Sequence, residues 1–219
     1  AAFLAIALFT GAASAAPIAT SIDFTKNANI AYSAKLPGVQ SDSVTVGFNF
    51  KFTGNVENND FLGFYFGTSG KMSEAYKGPN FGFKANCSNG ANGCTNDLFV
   101  RTTGTDGVYI PNSDLKAGTT YHLFAHMYKV DGSDTYNRFD MWLNPTQEQM
   151  WSLTGAHATA KDISALTSFD TIAFRTANVD KGLALRVSDL RVNDVPEPGS
   201  LALMGLALAG LAAARRKRA

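Results

Sequence analysis

The nine residues Val44-Thr45-Val46-Gly47-Phe48-Asn49-Phe50-Lys51-Phe52 decide the fold class of this 219-residue chain. Large apolar side chains occupy every even position of the stretch, and small or polar residues occupy every odd position. Because successive side chains of a β-strand point to opposite faces, this alternation predicts a strand with one buried face.

Seven further stretches are short, rich in aromatic or β-branched residues, and bounded by Gly, Asn, Asp or Ser, which predicts strands. The apolar parity changes between Val187 and Leu190, so we expect a bulge near Ser188-Asp189. Only 146–153 has the signals of a short helix. Many strands without interleaved helices predict an all-β antiparallel β-sandwich. The expected strands are 61–66, 80–85, 97–102, 120–130, 138–144, 171–176 and 183–192.

The later strands resemble the closing half of a concanavalin-A/laminin-G-like jelly roll. The likeness lies in the order and spacing of the strand 121–128, the loop 131–134, the return strand 138–143 and the segments 169–174 and 187–192. The resemblance implies a jelly-roll form of the sandwich. We expect one such domain over 16–194, because about 180 residues suit one domain of this type and are few for two.

Aromatic residues at positions of polar parity are candidate glycan contacts. Trp142 shares its expected strand face with Arg138 and Asp140, and Tyr136 and Trp151 fall in loops or at strand ends. Sugar rings stack on aromatic faces, and their hydroxyls need directed hydrogen bonds. These five residues form the predicted glycan site. Packing beneath loops is the alternative for each ring, and Tyr76 and Tyr109 have the same character.

Glycan cleavage is the alternative function for this fold. The retaining glucanases that the jelly roll resembles carry a Glu-x-Asp-x-Glu strand, which sets two carboxylates about 5 to 5.5 Å apart. Here Asp140 stands alone on its strand, and Asp189 shares a face only with Arg191 and Asn193. Neither a Gly-x-Ser-x-Gly elbow nor a phosphate-binding loop is present. We expect a non-catalytic protein; a hydrolase or lyase with carboxylates from separate strands is the alternative.

Two histidines on one strand face invite a metal interpretation. His122 and His126 would lie about 13 Å apart at ~3.3 Å per residue, whereas ligands of one zinc at ~2.0 to 2.1 Å must be close together. A regular strand therefore excludes a zinc ion that both histidines bind.

Calcium is the cofactor that the acidic loops favour, since it takes carboxylate and carbonyl ligands at about 2.3 to 2.6 Å. Asp131 and Asp134 form one candidate loop set, for which turn formation is the alternative role. Asp23 and Asp189 form another if the first and last strands are neighbours.

Cys87 and Cys94 bracket the hexapeptide Ser-Asn-Gly-Ala-Asn-Gly between two expected strands. In an exported protein this spacing predicts a local disulfide that closes a loop too polar to pack by itself. A catalytic thiol is the alternative, and no local signature supports it.

The first residues read as an export signal. The stretch 1–15 has no charged residue, an apolar run and the small residues Ala13-Ser14-Ala15. These are features of a signal-peptide helix that signal peptidase removes after Ala15. Since the usual Met and basic residues are missing, we expect this signal peptide to be truncated at its start.

The last residues have three features in a fixed order. Pro196-Glu197-Pro198 is followed by the apolar stretch 200–214 and by a basic cluster. Fifteen helical residues measure roughly 22 Å, short of a ~30 Å hydrocarbon core, and the basic cluster would stay in the cytoplasm. A plain membrane anchor is the alternative to a sorting signal. The cluster consists of Arg215, Arg216, Lys217 and Arg218.

This order resembles the PEP-CTERM sorting tail of Gram-negative bacteria. The resemblance implies that Pro196, Glu197 and Pro198 form the sorting motif within 195–219, and that 200–214 is a transient inner-membrane helix with the basic cluster as its stop. It also implies an exosortase as the processing partner and a host that makes exopolysaccharide.

These features together predict an exported surface or extracellular-matrix protein, structural or glycan-associating in an exopolysaccharide biofilm. A formal net charge of +1 gives no basic field for nucleic acid. An adhesion or protein-binding module is the remaining alternative.

Overall fold

The computed structural model describes residues 16–86, 96–104, 107–180 and 182–193. These residues form a two-sheet antiparallel sandwich, which confirms the predicted all-β class. The first sheet has the strand order β1-β12-β3-β8-β9-β10, and the second sheet has the order β2-β11-β4-β5-β6-β7. The strands are β1 (Ala19–Phe24), β2 (Ala28–Gln40), β3 (Val44–Thr53), β4 (Phe61–Gly67), β5 (Asn80–Lys84), β6 (Leu98–Arg101), β7 (Val108–Tyr109), β8 (Tyr121–Tyr128), β9 (Arg138–Leu143), β10 (Ala158–Ala160), β11 (Phe169–Ala177) and β12 (Ala184–Val192).

Strand β3 supplies the centre of the core. Its five even-numbered apolar residues are at most 4% exposed, as the alternation predicts. The ring of Phe48 reaches the opposite sheet, where its centre lies 6.1 Å from that of Phe64 and 5.4 Å from those of Phe81 and Phe174. Side chains of both inner faces therefore interlock, as in other two-layer sandwiches.

The expected bulge in the last strand is confirmed. The register between β12 and β3 shifts between Ser188 and Arg191, and Asp189 adopts a left-handed φ of 54°. Val187 and Leu190 are both 0% exposed although their parities differ. The inserted residue therefore turns the strand so that apolar residues of both parities face the core.

Helical structure is scarce in the described residues. The expected helix is α1 (Gln147–Ser152), which Thr146 caps: its hydroxyl accepts from the Gln149 amide, and the Gln149 side chain accepts from the Thr146 amide. A single 3₁₀ turn, Ala75–Lys77, lies before β5. No helix of the described ranges is long and apolar enough to span a membrane.

Three predicted features lie outside the described residues: the signal helix 1–15, the disulfide of Cys87 and Cys94, and the tail 195–219 with its apolar helix. The strand ranges predicted from the sequence do not include four of the observed strands: β1, β2, β7 and β10. β2 is an edge strand with a mixed pattern of exposure, and β7 and β10 have two and three residues. Such strands carry too little alternation for the sequence to mark them.

We predict that Phe48→Ala lowers the free energy of unfolding by about 3 to 5 kcal/mol, because it removes a ring that fills the space between the sheets. Val39→Ala is the control, since Val39 is 67% exposed, and its effect should stay within about 0.5 kcal/mol. Urea denaturation of both variants measures the difference. Equal midpoints for the two variants would contradict the central role of Phe48.

Candidate functional site

Two members of the predicted glycan site are buried, and that part of the prediction is wrong. Trp142 and Tyr136 are both 0% exposed. The Trp142 ring packs against Phe124 at 5.5 Å, and its Nε1 donates to the Thr154 carbonyl at 3.0 Å. The chain that follows β9 folds back over the outer face of the first sheet and covers this ring. Neither ring can stack on a sugar.

The other three members of the predicted glycan site differ in how exposed they are to solvent. Asp140 is buried and accepts hydrogen bonds from Tyr128 and Thr159. Arg138 is partly exposed, and Trp151 is 43% exposed. A sugar contact therefore remains a prediction for Arg138 and Trp151, while Asp140 serves an internal hydrogen-bond network.

The aspartates considered for calcium mostly face arginines. β1 and β12 pair as expected, yet the carboxylate of Asp23 forms a bidentate ion pair across them. In the described ranges, no three His, Cys, Asp or Glu side chains cluster closely enough to hold a metal ion. Calcium at Asp131 and Asp134 stays a prediction. The ion pairs are Asp23 with Arg186, Asp131 with Arg138, and Asp189 with Arg191.

The outer face of the first sheet carries a histidine network. The Nε2 of His126 lies 2.8 Å from the Ser43 hydroxyl, and its ring stacks on Tyr128 with centres 4.4 Å apart. The Nδ1 of His122 lies 3.0 Å from the Asn49 side-chain oxygen. Burial lowers the pKa of both histidines, and the nearby carboxylates oppose this shift without cancelling it. Both rings are therefore held in their neutral form.

The outer face of the second sheet has an aromatic floor. The rings of Phe61 and Phe99 stack with centres 5.4 Å apart and planes at 26°. Both rings are buried, Phe61 at 7% and Phe99 at 1% exposed, so they support the side chains above them and do not offer a free face to a sugar. Gly63 and Gly82 face each other beneath Phe61 on β4 and β5. A Cβ on Gly63 would lie 2.7 Å from Cζ of Phe61, so the missing side chain is what lets the ring lie across the sheet.

Two arginines flank this floor. The Cζ atoms of Arg175 and Arg101 lie 5.5 Å and 6.0 Å from the centre of the Phe61 ring. Arg101 Nε donates to the Asn80 side-chain oxygen at 2.8 Å, and Arg175 Nε donates to that of Asn29 at 3.0 Å. Each guanidinium is therefore held by one amide and two rings, since Arg101 also lies over Phe99 and Arg175 over Tyr76.

A cavity of about 370 Å³ opens over Phe61 and both arginines. A second cavity of about 330 Å³ adjoins it, because the two share Arg175, Ala177 and Asn178. Asparagine side chains recur in both linings: Asn27, Asn29, Asn59 and Asn178. We call these two cavities and the Phe61 floor the arginine groove.

The sequence analysis did not identify the arginine groove, although it named two of its neighbours. The centre of the Tyr76 ring lies 4.5 Å from Cζ of Arg175, and the centre of the Tyr109 ring lies 6.2 Å from that of the Phe99 ring. The usable signal was the one basic residue of each strand at an outward position: Arg101 on the otherwise apolar β6, and Arg175 on β11. Nothing local indicated that these two strands would bring their arginines to one ring.

The protein-family comparison identifies the C-terminal signal. A profile described as "PEP-CTERM protein-sorting motif" matches residues 194–218. The chain therefore carries this motif, as the sequence of its tail predicts. The motif indicates an exported protein with a transiently membrane-anchored C-terminus and implies processing by exosortase. No curated protein matches the chain in sequence.

Solved structures of similar form include the alginate lyase Aly36B, with a TM-score of 0.49, 14% identity and coverage of 80% of each chain. The Emp47p carbohydrate recognition domain has a TM-score of 0.47 and 10% identity over 81% of this chain and 86% of that chain. A β-1,3-glucanase from Mycobacterium marinum has a TM-score of 0.41 and 9% identity over 73% of this chain and 66% of that chain. Because all three TM-scores are below 0.5, we argue the candidate site from the contacts within this chain and not from these structures.

The lowered pKa values of His122 and His126 predict that the stability of the fold falls as the pH falls. Their pKa values in the folded chain lie below the ordinary value near 6.5, so the unfolded chain takes up protons first as the pH falls through 6.5. The double variant His122→Gln, His126→Gln should flatten this fall between about pH 7 and about pH 5. Urea denaturation of the wild-type chain and the double variant across this pH range measures the effect. The carboxyl groups are the same in both chains, so their contribution cancels in the difference between the two stability curves. Parallel curves would contradict the assignment.

Proposed function

We propose that this exported protein is a non-catalytic, glycan-associating component of the cell surface or extracellular matrix, built on a jelly-roll, concanavalin-A-like form of the β-sandwich. The arginine groove is its binding site. The observation that carries the proposal is the combination of two arginines, held over an aromatic floor, with asparagines around one cavity.

The lining of the groove suits sugar chemistry. A volume of about 370 Å³ falls within the range of roughly 300 to 1,000 Å³ for small-molecule sites. Amide groups both donate and accept hydrogen bonds, which matches the hydroxyls of a sugar ring. Asn178 lines both cavities, so one chain of linked sugars that occupies both would contact it where they meet.

The same lining supports binding without cleavage. The described residues that line the two cavities include no carboxylate, whereas glycoside hydrolysis requires two of them about 5 to 9.5 Å apart. Tyr65 lies on this face, and burial raises its pKa to about 12. That phenol keeps its proton at neutral pH and donates a hydrogen bond to the Asn29 carbonyl, so it does not serve as a base.

We predict that Asn178→Gly weakens glycan binding by about three- to tenfold, the loss expected for one hydrogen-bonding amide. Glycine keeps the left-handed backbone, since Asn178 has a φ of 58°. Asn112→Gly is the matched control, because Asn112 has a φ of 57° and lies outside both cavities. A glycan array probed with the full chain, with and without calcium, measures the effect.

The array has clear opposing outcomes. Absence of binding to every glycan would remove the proposed function, and equal losses in both variants would move the site elsewhere. Release of unsaturated sugars or new reducing ends from a bound glycan would replace binding by a lyase or a hydrolase activity.

Processing provides a separate prediction. Signal peptidase should leave a terminus near Ala16, and exosortase should cut near Pro196. Mass spectrometry of the protein recovered from its host measures both ends. Secreted protein that retains the basic cluster would contradict cleavage at the sorting motif.

A further inference from the structure

We infer that the arginine groove binds an acidic polysaccharide, with a sugar carboxylate held by Arg101 and Arg175. This inference rests on the proposed function and names its substrate class. It has three grounds: the arginines of the second sheet lack the aspartate partners that those of the first sheet have, both cations lie against one ring, and the groove extends over two cavities.

The two sheets treat their arginines differently. The structure describes five arginines, and the three on the first sheet each lie within 4.0 Å of an aspartate carboxylate. Arg101 and Arg175, the two on the second sheet, have no such partner among the described residues. Their Nε atoms bond to neutral amides, and their Nη atoms make no hydrogen bond within the described ranges. The donors of two forked cations are therefore available to a ligand.

Both cations lie against the same aromatic ring. Both Cζ atoms lie within 6.0 Å of the centre of the Phe61 ring. The Cζ atom of Arg101 also lies 5.1 Å from the centre of the Phe99 ring. Burial lowers the pKa of Arg101, Tyr109 opposes that shift, and the charge of Arg175 adds to it. A bound anion would relieve the repulsion between the arginines and replace the water that each has lost.

A carboxylate is the anion that fits these donors. A planar guanidinium offers parallel N–H groups that match the two oxygens of a carboxylate. Lys84 lines the same cavity and adds a third cation. Asp60, which precedes Phe61, does not compete for them, because it is 1% exposed and accepts from the Glu57 amide at 2.6 Å.

A polymer fits the groove better than a single acid. The cavity around the arginine pair continues past Asn178 into the cavity lined by Asn27 and Asn29. Uncharged amides in this second part suit the hydroxyls of a neighbouring sugar. The groove thus joins a cationic part, which suits a sugar carboxylate, to an amide part, which suits the hydroxyls of the next sugar in a chain.

The test uses polygalacturonate and the same polymer after reduction of its carboxyl groups. Affinity gel electrophoresis of the full 219-residue chain in mild detergent measures both. Because charge-assisted hydrogen bonds to two arginines are lost, the reduced polymer should bind at least about tenfold more weakly. Galacturonate monomer serves as competitor and should displace the polymer only at far higher concentration.

Variants locate the effect in the groove. Arg101→Gln and Arg175→Gln should each weaken binding of polygalacturonate about tenfold and weaken binding of the reduced polymer by a much smaller factor. Arg101→Lys should restore only part of the affinity, since lysine keeps the charge and loses the planar fork. Arg186→Gln is the control on the first sheet, because it removes the same charge from an exposed ion pair. Near-ultraviolet circular dichroism verifies the fold of each variant.

The outcomes separate this inference from the proposed function. Binding of the reduced polymer as tightly as the acidic one overturns the acidic preference and leaves a glycan-binding protein. An equal loss in Arg186→Gln, or tight binding of dextran sulfate that ignores both groove variants, shows a bulk charge effect and overturns the site. Failure to bind any polymer overturns both the inference and the proposed function.

Discussion

The packing of Phe48 between the two sheets is the constraint on which the rest of the structure depends. Its ring lies against Phe64, Phe81 and Phe174, which come from three different strands of the second sheet. Side chains alternate along a strand, so fixing one residue inward fixes both of its neighbours outward. Phe174 pointing inward sets Arg175 outward. A shift of one residue in this register would bury the arginine and expose the core.

The same constraint brings distant residues together. Phe81 inward leaves Asn80 and Gly82 outward, and Asn80 is paired in register with Arg101 on β6. Gly82 is paired with Gly63 on the other side, which leaves room for the Phe61 ring. The groove is therefore a consequence of how the core is packed: the inward phenylalanines place an amide, two glycines and two arginines on one face.

Sequence reasoning predicted the features that depend on local alternation and missed those that depend on assembly. The pattern of β3 and the parity change around Ser188-Asp189 are both readable along one strand, and both are confirmed. The sequence also shows that Trp142 occupies a position of polar parity on its strand. It does not show that the chain around Thr154 covers this ring. The arginines of the groove lie on β6 and β11, which two intervening strands separate in the sheet. No spacing in the sequence encodes that distance.

Fixed geometry gives the paired arginines their chemical meaning. Long cationic side chains lose considerable conformational freedom when they bind a ligand, and this loss weakens binding. Here Asn80 and Asn29 hold the two Nε atoms, and aromatic rings hold the planes. Folding has already ordered both guanidiniums, while no carboxylate of the described chain compensates their charge. An interaction that orders two cations without neutralising them contributes little to the stability of the fold, and it lowers the entropic cost of binding an anion from outside.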